Sequence, residues 1–394
     1  MRSRGIDLAC ILILLVSPFL QISGFPDIVK GPYLCDVTET SIAICWETTE
    51  PVSSAVEYAD ETRYLTSGGK YDRRVENQNE VRHHTVVLKG LKPSAVYHYR
   101  VISGDDVSED NTFHTAVRWD EPFTVIVYGD CRTNHNAHSS VVERMIEHEP
   151  DLVLNTGDLV SDGRVSSQWD IFFDITEELM KSVPYYPVLG NHERNAQHYY
   201  DLFHLPAGGG WEGKQWYSFD YGNTHFICLD SNVRSSADQV MWLEKDLARS
   251  ALRSQWILVL FHHPPFSSGR HGGSAEMMRG WMELFEGYGV DMVFSGHDHI
   301  YERSFYNDVW YIVTGGGGAS LYPVNSKPNP HQVCAESAYH FCKLRINGAR
   351  IDFEMIRANG TIGDKMTLTS VSIVGVKPLD KLPVIWGEVK SNRP

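Results

Sequence analysis

The 394-residue sequence is short of positive charge, has no cysteine motif for binding a metal, and has no long apolar run beyond its first twenty residues. Thirty-five Lys and Arg face 50 Asp and Glu, a formal net charge of −15. Such a surface excludes nucleic acid and anionic lipid as main partners, since both are held through clustered cations. An anionic ligand would need positive charge supplied locally, and bound metal can supply it. Of the seven cysteines, Cys10 lies in the first apolar run. Cys35 and Cys45 flank a turn at Glu39-Thr40 and can face each other across two strands. Cys334 and Cys342 are a weaker pair, and Cys131 and Cys228 have no evident mate. Six buried free thiols is the other reading.

The one apolar run spans residues 8–20. Arg2 and Arg4 precede it and the small residues of Ile22-Ser23-Gly24 follow, which is the pattern of a signal peptide over residues 1–24, with a mature chain from about Phe25. Its removal takes away two positive charges and Asp7, leaving −16. An uncleaved N-terminal anchor is the alternative, against which stand the shortness of the run and Pro18 within it. Cys10 sits too early in the run for lipid attachment. The expectation is a secreted or periplasmic protein with no membrane span once the leader is gone. Nothing in the sequence sets its oligomeric state.

A content of 42% hydrophobic and 22% charged residues is ordinary for a globular protein, and the length suits two domains. Residues 25–118 read as strands only, because Ile42, Ile44 and Trp46 alternate, as do His84, Val86 and Leu88, and Tyr97, Tyr99 and Val101. Leu91-Lys92-Pro93 before Tyr97, with Trp46 upstream, resembles the fibronectin type III sandwich, in which a tyrosine at a strand corner ties down a loop. After the linker Arg118-Trp119-Asp120-Glu121-Pro122 the pattern changes. Residues 121–366 alternate buried strands at 123–128, 152–155, 186–189, 225–229, 256–261, 292–295 and 310–314 with amphipathic helices at 137–148, 167–181, 238–250 and 275–286. That alternation predicts an α/β domain, its sheets flanked by helices. Residues 367–394, with Pro378, Pro383 and Pro394, read as an extended tail.

Chemistry collects where α/β sheets place it, just past the C-terminal ends of strands. Gly129-Asp130-Cys131-Arg132, Gly157-Asp158, Gly190-Asn191-His192-Glu193, His262-His263-Pro264 and Gly296-His297-Asp298-His299 each follow an apolar run directly. Each alone has a plain explanation as a turn, a helix cap or a loop histidine. Five together, in this order, predict a site. Carboxylates, an amide oxygen and imidazoles without thiolate suit Fe, Mn, Zn or Co at a catalytic centre better than structural zinc. Two ions bridged by one carboxylate, which Asp158 can be, would clamp both oxygens of an in-line displacement at phosphorus.

The order Gly-Asp, Gly-Asp, Gly-Asn-His-Glu, His-x-Pro, Gly-His-x-His resembles that of the calcineurin-like metallophosphoesterases. The run His299-Ile300-Tyr301-Glu302-Arg303 and the N-terminal strands are similar to the purple acid phosphatase branch. The resemblance implies two divalent ions, Fe, Mn or Zn, one held by Asp130, Asp158 and His299, the other by Asp158, Asn191, His262 and His297. It selects His262 through the His-x-Pro pattern and leaves His263 to face the substrate. It also implies hydrolysis of a small phosphorylated substrate by a metal-bound hydroxide, with His192, or second to it His263, as donor or general acid to the leaving group.

Two positions depart from the pattern. The branch places a tyrosinate where this chain has Ser161, and the wider superfamily a histidine where it has Arg132. The first ion therefore lacks a protein ligand, and there is no reason to expect the purple colour. Arg132 can hold a phosphate oxygen or make a structural ion pair. His135 or His138 is a substitute ligand or a loop residue facing solvent. The run Thr314-Gly315-Gly316-Gly317-Gly318-Ala319 reads as a tight turn that can line the pocket, and Asn359-Gly360-Thr361 as a glycosylation sequon. Phosphomonoester hydrolysis is the leading function, ahead of phosphodiester or nucleotide hydrolysis and of a non-catalytic extracellular binding or adhesion module.

Overall fold

A computed structural model describes residues 27–370; the expected leader, with Cys10, and the tail beyond 370 lie outside the described residues. The N-terminal strands are β1 (Ile28–Cys35), β2 (Ser41–Asp60), β3 (Arg73–Lys89), β4 (Val96–Ser103), β5 (Asp106–Val107) and β6 (Asn111–His114). They pair antiparallel, and register shifts in the β2–β3 ladder between Glu47 and Ser54 bend both long strands. The first half of β2 pairs with β1 and its second half with β4. The bend brings Trp46 over β4, where its indole N–H donates to Ser103 Oγ at 2.8 Å. Tyr97 OH accepts from the backbone N–H of Lys92 at 2.9 Å, a loop tie of the kind that the fibronectin type III resemblance implies. One short helix, α1 (Glu61–Thr66), breaks the strands-only expectation; Asp60 caps it by accepting from Arg63 N.

The second domain runs β7 (Phe123–Tyr128), α2 (His135–Ile146), β8 (Leu152–Asn155), α3 (Ser166–Met180), β9 (Tyr185–Pro187), α4 (Gln197–Leu202), β10 (Tyr217–Tyr221), β11 (Thr224–Cys228), α5 (Ala237–Ser250), β12 (Trp256–Leu260), α6 (Arg279–Tyr288), β13 (Met292–Ser295), β14 (Tyr301–Tyr306), β15 (Val309–Thr314), β16 (Gln332–Glu336), β17 (His340–Asn347), β18 (Arg350–Arg357) and β19 (Ile362–Thr369). It holds two sheets, a six-stranded one of order β19-β18-β17-β7-β8-β9 and a seven-stranded one of order β10-β11-β12-β13-β15-β14-β16. Strands β7, β8 and β9 are parallel, as are β11, β12, β13 and β15.

Alternation along β12 shows how the layers stack. Trp256, Leu258 and Leu260 enter the core shared with the six-stranded sheet, whereas Ile257 and Val259 join the core built with α5 and α6. Each sheet is thus covered by helices on one face and by the other sheet on the second. Helix α2 starts at His135, two residues before the expected start, because Asn134 Oδ1 accepts from Ala137 N at 3.2 Å and caps it there. The N-terminal sheet docks through β1. Tyr33 packs its ring 4.7 Å from Phe173 of α3, and Lys30 pairs with Asp170 at 2.7 Å.

The six described cysteines are free thiols. Register pairs Cys35 with Ala43 and Cys45 with Tyr33, so the two cysteines of the expected pair are diagonal rather than directly opposed. No helix among the described residues is long and apolar enough to cross a membrane.

Candidate metal centre

The five motifs meet in one cleft at the C-terminal ends of parallel strands. Asp130 follows β7, Asp158 follows β8, Asn191 and His192 come after β9, His262 and His263 follow β12, and His297 and His299 follow β13. Asp130, Asp158 and His297 have positive φ, at 55°, 58° and 69°, a conformation costly for residues with a Cβ and concentrated at functional sites. Close approach sets Gly190, where a Cβ would sit 2.2 Å from Asp158 Oδ1.

Asn191 Oδ1 lies 3.1 Å from His262 Nε2 and 3.1 Å from His297 Nδ1. Asp158 Oδ1 is 3.4 Å from His262 Nε2. Burial pushes the His262 pKa down to about 3, so the ring is neutral and carries one proton. That proton is committed to Nδ1, which donates to the Thr156 carbonyl at 2.9 Å. His262 Nε2 therefore turns a lone pair toward two oxygens that also offer lone pairs. Such a meeting of acceptors calls for a cation, and a carbonyl orienting a ligand imidazole is usual at metal sites. Burial likewise lowers His297, to about 2. His263 belongs to the same cluster, its nitrogen within 4.8 Å of those of His262 and His297. A divalent metal fits this set.

The other expected set is differently filled. Asp130 is buried and its Oδ1 has no hydrogen-bond partner; it lies 3.5 Å from His299 Nε2. His299 Nδ1 donates to the Ser320 carbonyl at 2.7 Å, and Nε2 faces Asp130; burial disfavours charge on this ring, but Asp130 outweighs it and raises the pKa. Burial, with the charge of Asp158 adding to it, raises Asp130 to about 6. Arg132 also enters this set: its Nε donates to Asp158 Oδ2 at 3.1 Å, and its Nη2 is 3.4 Å from His299 Nε2.

His192 Nδ1 donates to the Ser161 carbonyl at 2.7 Å, and its Nε2 points inward, 3.8 Å from Asp158 Oδ2. His263 Nδ1 meets Ser231 Oγ at 2.8 Å, and burial lowers its pKa to about 3.

Residues 123–301 match the family of calcineurin-like phosphoesterases, and residues 33–115 match the N-terminal domain of purple acid phosphatases. The chain joins a calcineurin-like phosphoesterase domain to a purple acid phosphatase N-terminal domain. It is similar to Purple acid phosphatase 15 of Arabidopsis thaliana, 32% identical over 288 residues that make up 60% of this chain and 53% of that protein. It thus spans about half that relative's length. Acid phosphatase type 7 of Mus musculus is 27% identical over 380 residues, 80% of this chain and 84% of its own. Among solved structures, a purple acid phosphatase from yellow lupin (Lupinus luteus) seeds shares the fold, with a TM-score of 0.75 and 21% identity over 86% of this chain and 74% of that one. Enzymes of the calcineurin-like phosphoesterase family use a dimetal centre, which agrees with the convergence of donors seen here.

Within the phosphoesterase domain, two expectations are corrected. His138 neither ligates nor faces solvent: it is buried, with Nε2 3.2 Å from Tyr128 OH, because α2 turns it into the core. The glycine run does not use the conformational freedom expected of a glycine turn, as none of Gly315 to Gly318 has positive φ. Its backbone lies against the first motif, Gly317 N donating to Gly129 O at 2.9 Å and Ala319 N to Asp130 O at 2.7 Å, and a Cβ on Gly317 would lie 2.4 Å from Gly129 O.

Other residues were passed over in the sequence. Glu193 is buried and accepts from the N–H groups of Asp158, Leu159 and Gly190 at 2.9, 2.8 and 2.6 Å, so it locks the second motif to the third. Burial, with Asp158 nearby, raises it to about 8. Asp298 accepts from His271 N at 2.8 Å and Gly272 N at 3.2 Å, holding that loop over the cleft. Both lie inside quoted motifs, so position could have flagged them. Tyr322, whose ring stacks 4.1 Å from that of His299, lies in a stretch without periodicity and gave no signal.

Proposed function

We propose that the chain hydrolyses phosphomonoesters at a divalent metal centre, with Fe, Mn or Zn as the metals its donors suit. The observation that carries this is the meeting of His262 Nε2 with Asn191 Oδ1 and Asp158 Oδ1 at 3.1 and 3.4 Å with no proton between them. Asp158, Asn191, His262 and His297 would hold one ion, and the family's layout assigns the other place to Asp130, Asp158 and His299. Bound metal neutralises phosphoryl charge and lowers the pKa of water.

The side chains supply the rest. With Nδ1 committed to the Ser161 carbonyl, His192 has only Nε2 to offer, at the mouth of the cleft beside Asp158. When protonated, that nitrogen can give its proton to the departing alkoxide. His263 is held neutral by burial and is the weaker acid catalyst, suited instead to donating one hydrogen bond to a phosphoryl oxygen. The reading also takes residues 1–24 as an export leader and 25–118 and 121–366 as the domains, but the tail expected from 367 is corrected, because β19 pairs with β18 through Thr369 and carries the second domain that far; N-terminal sequencing of protein recovered from the medium checks the leader.

Turnover of a monoester and a diester with the same leaving group, by metal-loaded protein, tests the function. Faster monoester hydrolysis is expected. Preference for the diester would move the assignment to a phosphodiesterase or nucleotidase, and no turnover of either would leave a binding module.

A further inference from the structure

The two ligand sets differ in whether a donor is already present. Around His262 Nε2, the oxygens of Asp158 and Asn191 bring lone pairs only. Around Asp130 and His299 a cation of the protein stands among the acceptors. Arg132 Nε donates to Asp158 Oδ2 at 3.1 Å and Nη2 reaches His299 Nε2 at 3.4 Å. The Arg132 side chain is 15% exposed and the Asp158 side chain 1%, so this is an interior pair rather than a rim contact. Arg132 and Ser161 line one cavity of about 200 Å³ beside the site.

An ion in this set would need the outer oxygen of Asp158 and Nε2 of His299, the two atoms that the guanidinium occupies. Arginine keeps its proton throughout the pH range in which proteins fold, so these bonds cannot be vacated by deprotonation. The guanidinium also brings a positive charge within contact distance of the place a second cation would fill.

We propose that Arg132 takes the place of one metal ion, so that the chain holds a single divalent ion at Asp158, Asn191, His262 and His297, with a fixed guanidinium as the second cation. This rests on the phosphoesterase reading and departs from the family's two-ion layout. A planar guanidinium would present its remaining N–H groups to phosphoryl oxygens as an oriented fork, where an ion would accept oxygens from any direction. The substrate phosphate would then bridge one metal and one arginine.

The test counts ions. Full-length protein is stripped of metal, reloaded with Mn²⁺, freed of excess by gel filtration, and measured by elemental analysis and by electron paramagnetic resonance. One Mn²⁺ per chain with the spectrum of an isolated ion is expected for the native protein. Arg132→Ala should take up a second Mn²⁺ and show the spectrum of a spin-coupled pair, and Arg132→Gln, closer in size, serves if the alanine variant does not fold. Two coupled ions in the native protein would overturn the inference and leave the hydrolase standing. A count of one that stays at one in a folded Arg132 variant would also overturn it, since missing ligands and not the arginine would then exclude the ion. No bound Mn²⁺ at all would overturn both readings.

Discussion

The two sheets of the second domain bring different chemistry to the same cleft. The six-stranded sheet contributes oxygen, through Asp130, Asp158 and Asn191 after β7, β8 and β9, whereas the seven-stranded sheet contributes nitrogen, through His262, His263, His297 and His299 after β12 and β13. Neither half is complete: the oxygen side alone would suit a hard ion such as Mg²⁺, and the imidazoles alone lack countercharge. The site therefore exists only as long as the sheets stay packed. Bonds between them are part of its machinery. The His262 ring donates to the Thr156 carbonyl, Ala319 N donates to Asp130 O, and Arg303 of β14 grips Asp364 of β19 through Nε and Nη2 at 2.6 and 3.0 Å.

The strongest challenge to this comparison is to remove one donor from each side. Asp158→Asn and His262→Ala should both release metal and lower kcat/KM by more than the ~100-fold that loss of a supporting partner costs. Metal content and turnover measured together decide it, and a variant that keeps both would show that its sheet is dispensable. His192 is the imidazole on the oxygen side. His192→Ala should lower kcat by roughly 10²–10⁴-fold with metal content unchanged, as for a lost general acid. His263→Ala should lose less.

A cross-sheet tie should act on stability first. Arg303→Ala strips the charged partner from a largely buried carboxylate, which keeps its bond from Tyr301 OH, and should destabilise by roughly 2 kcal/mol in denaturant titration, with metal binding intact in the folded fraction. Burial opposes ionisation of Asp364, but Arg303 and Tyr301 hold its pKa down at about 2. A depressed carboxylate stabilises above its unfolded pKa, ~3.9, and that contribution fades as pH falls toward the folded value. The gap between native protein and Arg303→Ala should accordingly narrow between those limits.

The smallest effect is expected on β11, beside the edge strand β10 of the nitrogen-bearing sheet. Burial disfavours charge on His225, but Asp220 at 2.5 Å and Asp246 at 2.8 Å outweigh it and raise the pKa. A raised histidine stabilises fully below its unfolded pKa, ~6.5, and the gain is lost as pH rises through the folded value. Stability should drift down above neutrality, and His225→Gln should flatten that drift.

Much of this site was legible because its ligands sit in short motifs at strand ends, where local pattern and topology coincide. Strands 123–128, 152–155 and 292–295 fall at their expected limits, since continuous apolar runs bounded by Gly-Asp and Gly-His leave little room for slippage. Helix limits moved where a cap decided them, as Asn134 did for α2. Strands β16 to β19 were not predicted: β17 lies beside β7, more than 200 residues earlier, whereas β18 and β19 follow it as local antiparallel hairpins whose pattern was passed over.

By itself the sequence determined the inventory: which donor types are present, in which order, and that each follows a strand. Only the tertiary structure decided their relations. It turned His138 inward, laid the glycine run against Asp130, and set Arg132 between Asp158 and His299. The reason is physical. Strand and motif signals come from neighbours within a few residues, whereas the charge around an ion is summed over side chains that meet only when two sheets close on each other.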